Sequence, residues 1–313
     1  MIPILDDYQL AVPGSLREAL EDLSRHTASR PFAGGTDLMV TLEAGQLPPG
    51  RYISLQNCRE LLGVADDPSG GVSIGALTTY TAVRNSPRLR REYPLLAAAA
   101  GETGGVATQN RGTIGGNIAN ASPAADTPPV LLVYDAEIEI VSASGTRRVP
   151  YLGFHRGYKK MDLAPGELIA RIHLPSAAAW LPGRSYYRKV GARRAQAISK
   201  VCVAGAIRIE HGAVQDVRIA LASVGPTVIR AVRTEDALRG QPLDGALSRA
   251  RRGQSPARIP ARLTHLTPAA AKPAPAAGRQ TRRHGKNTTP TALWVPQALP
   301  PIFVAVVFVL EVR

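Results

Sequence analysis

The sequence predicts a mixed fold of short helices and strands in two domains, followed by a basic tail without regular structure. Three observations carry that prediction. The chain of 313 residues exceeds what one hydrophobic core usually organises, and about 150 residues per domain is the prior. Capped, helically spaced apolar residues alternate with period-two runs along residues 1–247. The composition then changes abruptly: residues 248–313 hold 11 Lys and Arg but a single acid, Glu311.

The elements follow in order. Pro13-Gly14 leads into Ser15-Leu16-Arg17-Glu18, a capping box in which Ser15 and Glu18 would satisfy orphan helix N–H groups. Leu16, Ala19, Leu20 and Leu23 then recur at helical spacing. Residues 32–41 contain a glycine pair. Residues 72–77 read as a strand, with Thr78 or Thr79 capping the next helix. Pro94 opens an apolar helix over 94–100, where proline suits the first turn. From Ala136 the period becomes two: Ile138 and Ile140 alternate with Glu137 and Glu139. Ser144-Gly145-Thr146 then turns the chain into Arg147-Arg148-Val149. Residues 168–174 alternate again and end at Pro175. The proline- and glycine-bearing stretch 175–183 is the expected boundary between a domain over 1–176 and one over 184–247. Beyond it, strands are expected over 201–209 and 214–224, joined at His211-Gly212, with a helix over 227–238.

The net charge of +14 suggests nucleic acid until it is divided. Residues 1–247 carry 27 basic and 23 acidic side chains, so the body is close to balanced. The excess belongs to the tail. Attachment of nucleic acid there would be weak, sequence-independent and strongly salt-dependent, and no specific nucleic acid is expected. Residues 249–290 are rich in Arg, Pro, Ala and Thr and cannot bury enough apolar area to offset chain entropy, so disorder is expected. The apolar run 302–310 reads as a strand or an aggregation-prone tail, too short for a membrane span. The N-terminus has no basic n-region, and a cytoplasmic protein is expected. Two cysteines, Cys58 and Cys202, exclude a disulfide scaffold and any cysteine-ligated cluster within this chain. Cys202, in an apolar run, reads as a small core residue, and the histidines show no metal-ligand spacing.

Two glycine-bearing loops carry the chemistry. One is Phe32-Ala33-Gly34-Gly35-Thr36-Asp37. The other is Gly112-Thr113-Ile114-Gly115-Gly116-Asn117, followed by Ala121 to Asp126. Adjacent glycines permit positive φ and close backbone approach, so successive N–H groups can converge on an anion. Thr36, Thr113 and Asn117 add side-chain donors. Two such loops, one from each side, match the spread charge of a pyrophosphate. Taken singly, each reads more often as a tight turn. Neither the G-x-G-x-x-G fingerprint after a strand nor the G-x-x-x-x-G-K-[ST] pattern occurs, so a Rossmann or P-loop site is not indicated.

These loops, the Asn120-Ala121-Ser122-Pro123…Asp126 stretch, Gly157-Tyr158-Lys159-Lys160 and the run from Arg188 to Lys200 stand in a recurrent order. Together they resemble the FAD-binding, or medium, subunit of the molybdenum hydroxylases. That group includes the xanthine, carbon monoxide and aldehyde dehydrogenases. The resemblance covers residues 1–247. It implies an α+β fold: a p-cresol-methylhydroxylase-type, two-lobed FAD-binding domain, then a smaller α+β domain. It implies that Ala33, Gly34, Gly35, Thr36 and Asp37 hold one side of the diphosphate and ribityl chain. Thr113, Gly115, Gly116, Asn117 and Asn120 would hold the other. Asp126 would hydrogen-bond the flavin, Ile169 would pack on it, and Lys189 would approach the ring as a cation from the second domain. A β-branched residue at Gly34 or Gly115 is expected to abolish FAD retention by blocking backbone approach.

The resemblance also implies partners. A molybdopterin-binding large subunit would hydroxylate the substrate, a small subunit with 2Fe-2S clusters would relay electrons, and the FAD here would pass them to NAD+ or another acceptor. The absence of a convincing acid–base pair agrees with an electron-transfer subunit that has no catalytic residue of its own. A free-standing FAD-dependent oxidase or dehydrogenase acting on a small organic substrate is the alternative, since fold alone does not decide function. From Ser248 the sequence departs from the family pattern. A shifted reading frame would account for that, and resequencing the coding DNA tests it.

Overall fold

The structure is a computed structural model that describes residues 5–177, 183–193 and 195–242. The expected tail over 248–313 and most of the expected boundary at 175–183 lie outside the described residues.

The first lobe is built on a parallel sheet of β1 (Tyr8–Ala11), β2 (Arg30–Phe32) and β3 (Gly50–Ser54), in the order β1-β3-β2. Helix α1 (Leu16–Arg25) connects β1 to β2, and α2 (Leu38–Glu43) connects β2 to β3. Ser15 caps α1 as expected, its hydroxyl accepting from Glu18 N at 3.2 Å. Glu18 reaches back to Gly14 N at 2.8 Å, one residue upstream of the amide that a capping box uses. Ala19 and Leu23 point inward against Ile53, Leu55, Cys58 and Leu61.

The second lobe holds an antiparallel sheet of β4 (Val64–Asp66), β5 (Val72–Gly75), β6 (Glu137–Ser142), β7 (Gly145–Pro150) and β10 (Leu168–Leu174), in the order β4-β5-β10-β6-β7. A hairpin of β8 (His155–Gly157) and β9 (Lys160–Met161) precedes β10. Six helices intervene between β5 and β6: α3 (Tyr80–Asn85), α4 (Pro87–Glu92), α5 (Pro94–Glu102), α6 (Val106–Arg111), α7 (Ile114–Asn120) and α8 (Pro128–Val133). Thr79, not Thr78, caps α3, accepting from Ala82 N at 3.2 Å.

Strand β10 is central and buried on both faces. Leu168 and Ala170 join the core of the first lobe, while Ile169, Ile172 and Leu174 join the helical core. A bulge between Ile169 and Arg171 shifts the phase, so the sequence alternation does not translate into one wet face.

The C-terminal domain is an antiparallel sheet of β11 (Arg184–Gly191), β12 (Ser199–Glu210), β13 (Ala213–Ala222) and β14 (Ile229–Arg230), followed by α9 (Val232–Leu238). The helix expected over 227–238 starts later because Ile229 and Arg230 pair with Leu221 and Ala220. Helix α8 packs on this sheet, and the small residues Ala204, Ala206 and Ala220 enter the same core as the helices of the second lobe. Cys202 is buried as expected, its thiol pushed up to about 12 by that burial.

Candidate cofactor site

The two glycine-bearing segments touch. A Cβ built on Gly34 would lie 1.9 Å from the Arg111 carbonyl oxygen, and Arg111 Nε donates to the Gly34 carbonyl at 3.4 Å. Gly35 has φ +75°, and a Cβ there would lie 2.6 Å from the Phe32 ring. Both positions need glycine, but for contact within the chain. That corrects the reason expected for Gly34: a side chain there meets the neighbouring backbone before any ligand.

The second segment is a helix rather than a loop. Thr113 is the N-cap of α7, its hydroxyl accepting from Gly116 N at 3.1 Å. Ile114 and Ile118, one turn apart, are fully buried. Gly115 donates its N–H to the Ala76 carbonyl at 2.9 Å, and a Cβ there would lie 2.5 Å from the Ala76 Cβ. Gly115 therefore seats α7 on the chain leaving β5. Gly116 faces the first loop, with its built Cβ 3.8 Å from Ala33 Cβ.

Side chains tie the two segments together. Asn120 Nδ2 donates to Asp37 Oδ1 at 3.2 Å, and Lys159 Nζ donates to Asn120 Oδ1. Asn117 Oδ1 accepts from Thr127 Oγ1 at 2.9 Å. Among the described residues, the amides of Gly34, Gly35 and Thr36 donate to no backbone acceptor. Three donors on a half-buried loop suit an anion.

Asp126 stands at the domain junction and is 7% exposed. Its Oδ2 accepts from Lys189 Nζ at 2.8 Å, and Lys189 also donates to the Glu102 carbonyl at 2.9 Å. Tyr187 donates from its hydroxyl to the Asp126 carbonyl at 3.2 Å. Burial pushes the Asp126 carboxyl up to about 6, with the Lys189 ammonium opposing. Asp126 Oδ1 is buried and, among the described residues, has no hydrogen-bond partner. A buried acceptor without a donor is costly unless a ligand supplies one. Lys189 lies on β11, and its ammonium is already engaged by the Asp126 carboxylate. Ile169 is 6% exposed in the helical core, on a strand that packs against α7.

Three contributors escaped the sequence: Thr127, Tyr187 and the Glu102 carbonyl. A Cβ on Gly105 would lie 2.5 Å from Gln196 Nε2, so the turn after β11 rests on Gly104-Gly105. Thr127 follows Asp126 directly, which is the one local signal that could have found it. Among the described residues, no group of three His, Cys, Asp or Glu side chains is placed to hold a metal.

Unused loop amides at Gly34 to Thr36 and a buried, unpaired carboxylate oxygen at Asp126, which the second domain reaches through Lys189, suit an anionic cofactor held outside a Rossmann fingerprint. Comparison with known proteins agrees. Residues 6–177 match the FAD binding domain in molybdopterin dehydrogenase, and residues 185–254 match the CO dehydrogenase flavoprotein C-terminal domain. The chain is 35% identical over 233 residues to the glyceraldehyde dehydrogenase medium chain of Sulfolobus acidocaldarius, covering 74% of this chain and 81% of that one. It is 32% identical over 230 residues to an Escherichia coli xanthine dehydrogenase FAD-binding subunit, covering 74% and 78%. Among solved structures, carbon monoxide dehydrogenase from Hydrogenophaga pseudoflava, in a form lacking the Mo-pyranopterin moiety, superposes with a TM-score of 0.73 at 30% identity. That match covers 82% of this chain and 90% of the other. The chain belongs to the FAD-binding flavoprotein subunits of the molybdenum hydroxylases and is an oxidoreductase subunit.

Proposed function

We propose that the chain holds one FAD non-covalently and passes electrons from the 2Fe-2S clusters of a small partner subunit to NAD+ or another acceptor. A molybdopterin-binding large subunit would carry the substrate chemistry. The observation that carries the reading is that α7 ties the loop with unused amides at Gly34 to Thr36, through Asn120 and Asp37, to the segment of Asp126, through Asn117 and Thr127. Bound FAD would supply the ability to take up electrons singly and release them in pairs.

The chain's own residues bind and orient. Ala33, Gly34, Gly35, Thr36 and Asp37 would hold one side of the cofactor, and Thr113, Gly115, Gly116, Asn117 and Asn120 the other. Thr113 and Gly115 would also fix α7, the Thr113 hydroxyl by accepting from Gly116 N and Gly115 by donating to the Ala76 carbonyl. Asp126 would accept a hydrogen bond from the flavin, held as a carboxylate by Lys189. Ile169 would back the site from β10. The division into 1–176 and 184–247 belongs to the same proposal, supported by the two family matches. So does a cytoplasmic location; no helix among the described residues is long and apolar enough to cross a membrane.

Purified full-length chain is expected to carry flavin at about one per chain. A chain that stays colourless after incubation with excess FAD overturns the proposal. Reduction of the bound flavin by a small organic substrate, with no partner subunit present, would favour a free-standing oxidase instead.

A further inference from the structure

The segment that carries Asp126 and Thr127 is gripped at its far end by the second domain. Helix α8 follows these two residues, and all six of its residues are buried. At its near end stand the contacts of Lys189 and Tyr187 with Asp126. At its far end, Arg230 Nη1 donates to the Leu132 carbonyl at 2.8 Å and to the Asp135 carboxylate at 2.7 Å. Arg218 Nη1 donates to the Val133 carbonyl at 3.3 Å and pairs with Asp135. Arg230 is itself set by Glu235 of α9, with Nε to Oε1 at 2.5 Å. Glu235 is 1% exposed, and the same oxygen accepts the Ile219 N–H at 2.7 Å.

The last carbonyls of a helix have no partner within it and form the negative end of its dipole. Two guanidinium groups there meet both needs. A short, fully buried helix held at both ends moves as a unit, so a displacement at Leu132 reaches Thr127 and, through its hydroxyl, Asn117.

We propose that Arg230, backed by Glu235, is a positioning residue for the cofactor site. By anchoring the C-terminal end of α8, it sets where Asp126, Thr127 and Asn117 stand. The inference rests on the proposed function for the identity of the ligand, and on the contacts above for the coupling.

The test uses the full-length chain with Arg230→Gln, Asp135→Asn and, as control, Val214→Ala. Val214 is 1% exposed in a separate cluster of the second domain that includes no residue of α8. Asp135 has φ +48°, which Asn tolerates, and its side chain is 47% exposed, so that variant is expected to fold even where Arg230→Gln does not. In the cofactor-free chain, amide hydrogen exchange over 117–131 is expected to quicken about tenfold in Arg230→Gln, in the same direction in Asp135→Asn, and to stay unchanged in Val214→Ala. The dissociation constant for FAD is expected to rise about tenfold in Arg230→Gln, whereas Val214→Ala lowers thermal stability without that loss. Unchanged exchange in the folded clamp variants, or an equal change in the control, overturns the inference. If the wild-type chain binds no FAD, the proposed function fails, while the exchange data still decide the coupling.

Discussion

Asp126 combines a raised carboxyl, a buried cation partner and an unused oxygen, and these three facts predict opposite pH trends for stability and for binding. With a folded value of about 6 against an unfolded value of about 3.9, its contribution to stability is fully present below pH ~4 and lost as pH rises through ~6. FAD affinity should run the other way, weakening as pH falls below about 6, because only the carboxylate accepts freely. Thermal melts and FAD titrations from pH 4 to 8 check both trends; identical profiles in wild type and Asp126→Asn would remove Asp126 from the site. Gly34 makes a second prediction at this scale. Gly34→Ala places a methyl group against the Arg111 carbonyl, so the two segments must part. FAD affinity should fall at least tenfold, or about 1.4 kcal/mol, as measured by equilibrium titration. An Ala variant binding like wild type would show that the contact is not needed.

At the scale of elements, helix α7 is the clearest case of a structure that local propensity disfavours. Gly115 and Gly116 each weaken a helix by about 1 kcal/mol, and Asn117 adds nothing, so the segment reads as a loop. Tertiary seating on Ala76 and the Thr113 cap overcome that local preference. Thr113→Ala should therefore cost about 1 kcal/mol in urea denaturation and loosen Asn117 as well. A variant with unchanged midpoint and unchanged flavin content would contradict the capping role. Helix α8 was hidden for a related reason: Pro128-Pro129 reads as a break unless both prolines occupy a first turn, as they do. The strands of the first sheet were not legible either. They are three to five residues long, and β1 and β2 have no buried residue to reveal a period. By contrast α1, α5, β6, β7, β12 and β13 were legible, because caps, turn residues and alternation agree with the final packing.

For the whole molecule, the shared core decides the behaviour. Ala204, Ala206 and Ala220 of the second domain pack with the helices of the second lobe, so the two domains should unfold in one transition rather than two. Ala220→Leu, at a fully buried site, should overpack this junction by about 1–3 kcal/mol and separate the transitions in calorimetry. A single unshifted transition in that variant would mean that the junction is looser than the contacts indicate. The balanced charge of the body leaves association with partners to shape and apolar contact more than to its net field.

What the sequence determined by itself was the set of chemical parts: a Gly-Gly-Thr-Asp segment, a Thr-Ile-Gly-Gly-Asn segment, an acid after the second and a lysine in the next domain. Their order along the chain was enough to place the protein in its family. What only the tertiary structure decided was why each part is there. Gly34 and Gly115 serve the meeting of backbones, Lys189 is engaged by Asp126, and the second domain grips the end of α8 through Arg230. The physical reason is that local patterns record backbone freedom and periodicity, whereas these roles depend on which distant atoms a group finally touches. Contacts such as Arg111 with Gly34, or Arg230 with Leu132, join residues 77 and 98 positions apart and leave no local trace.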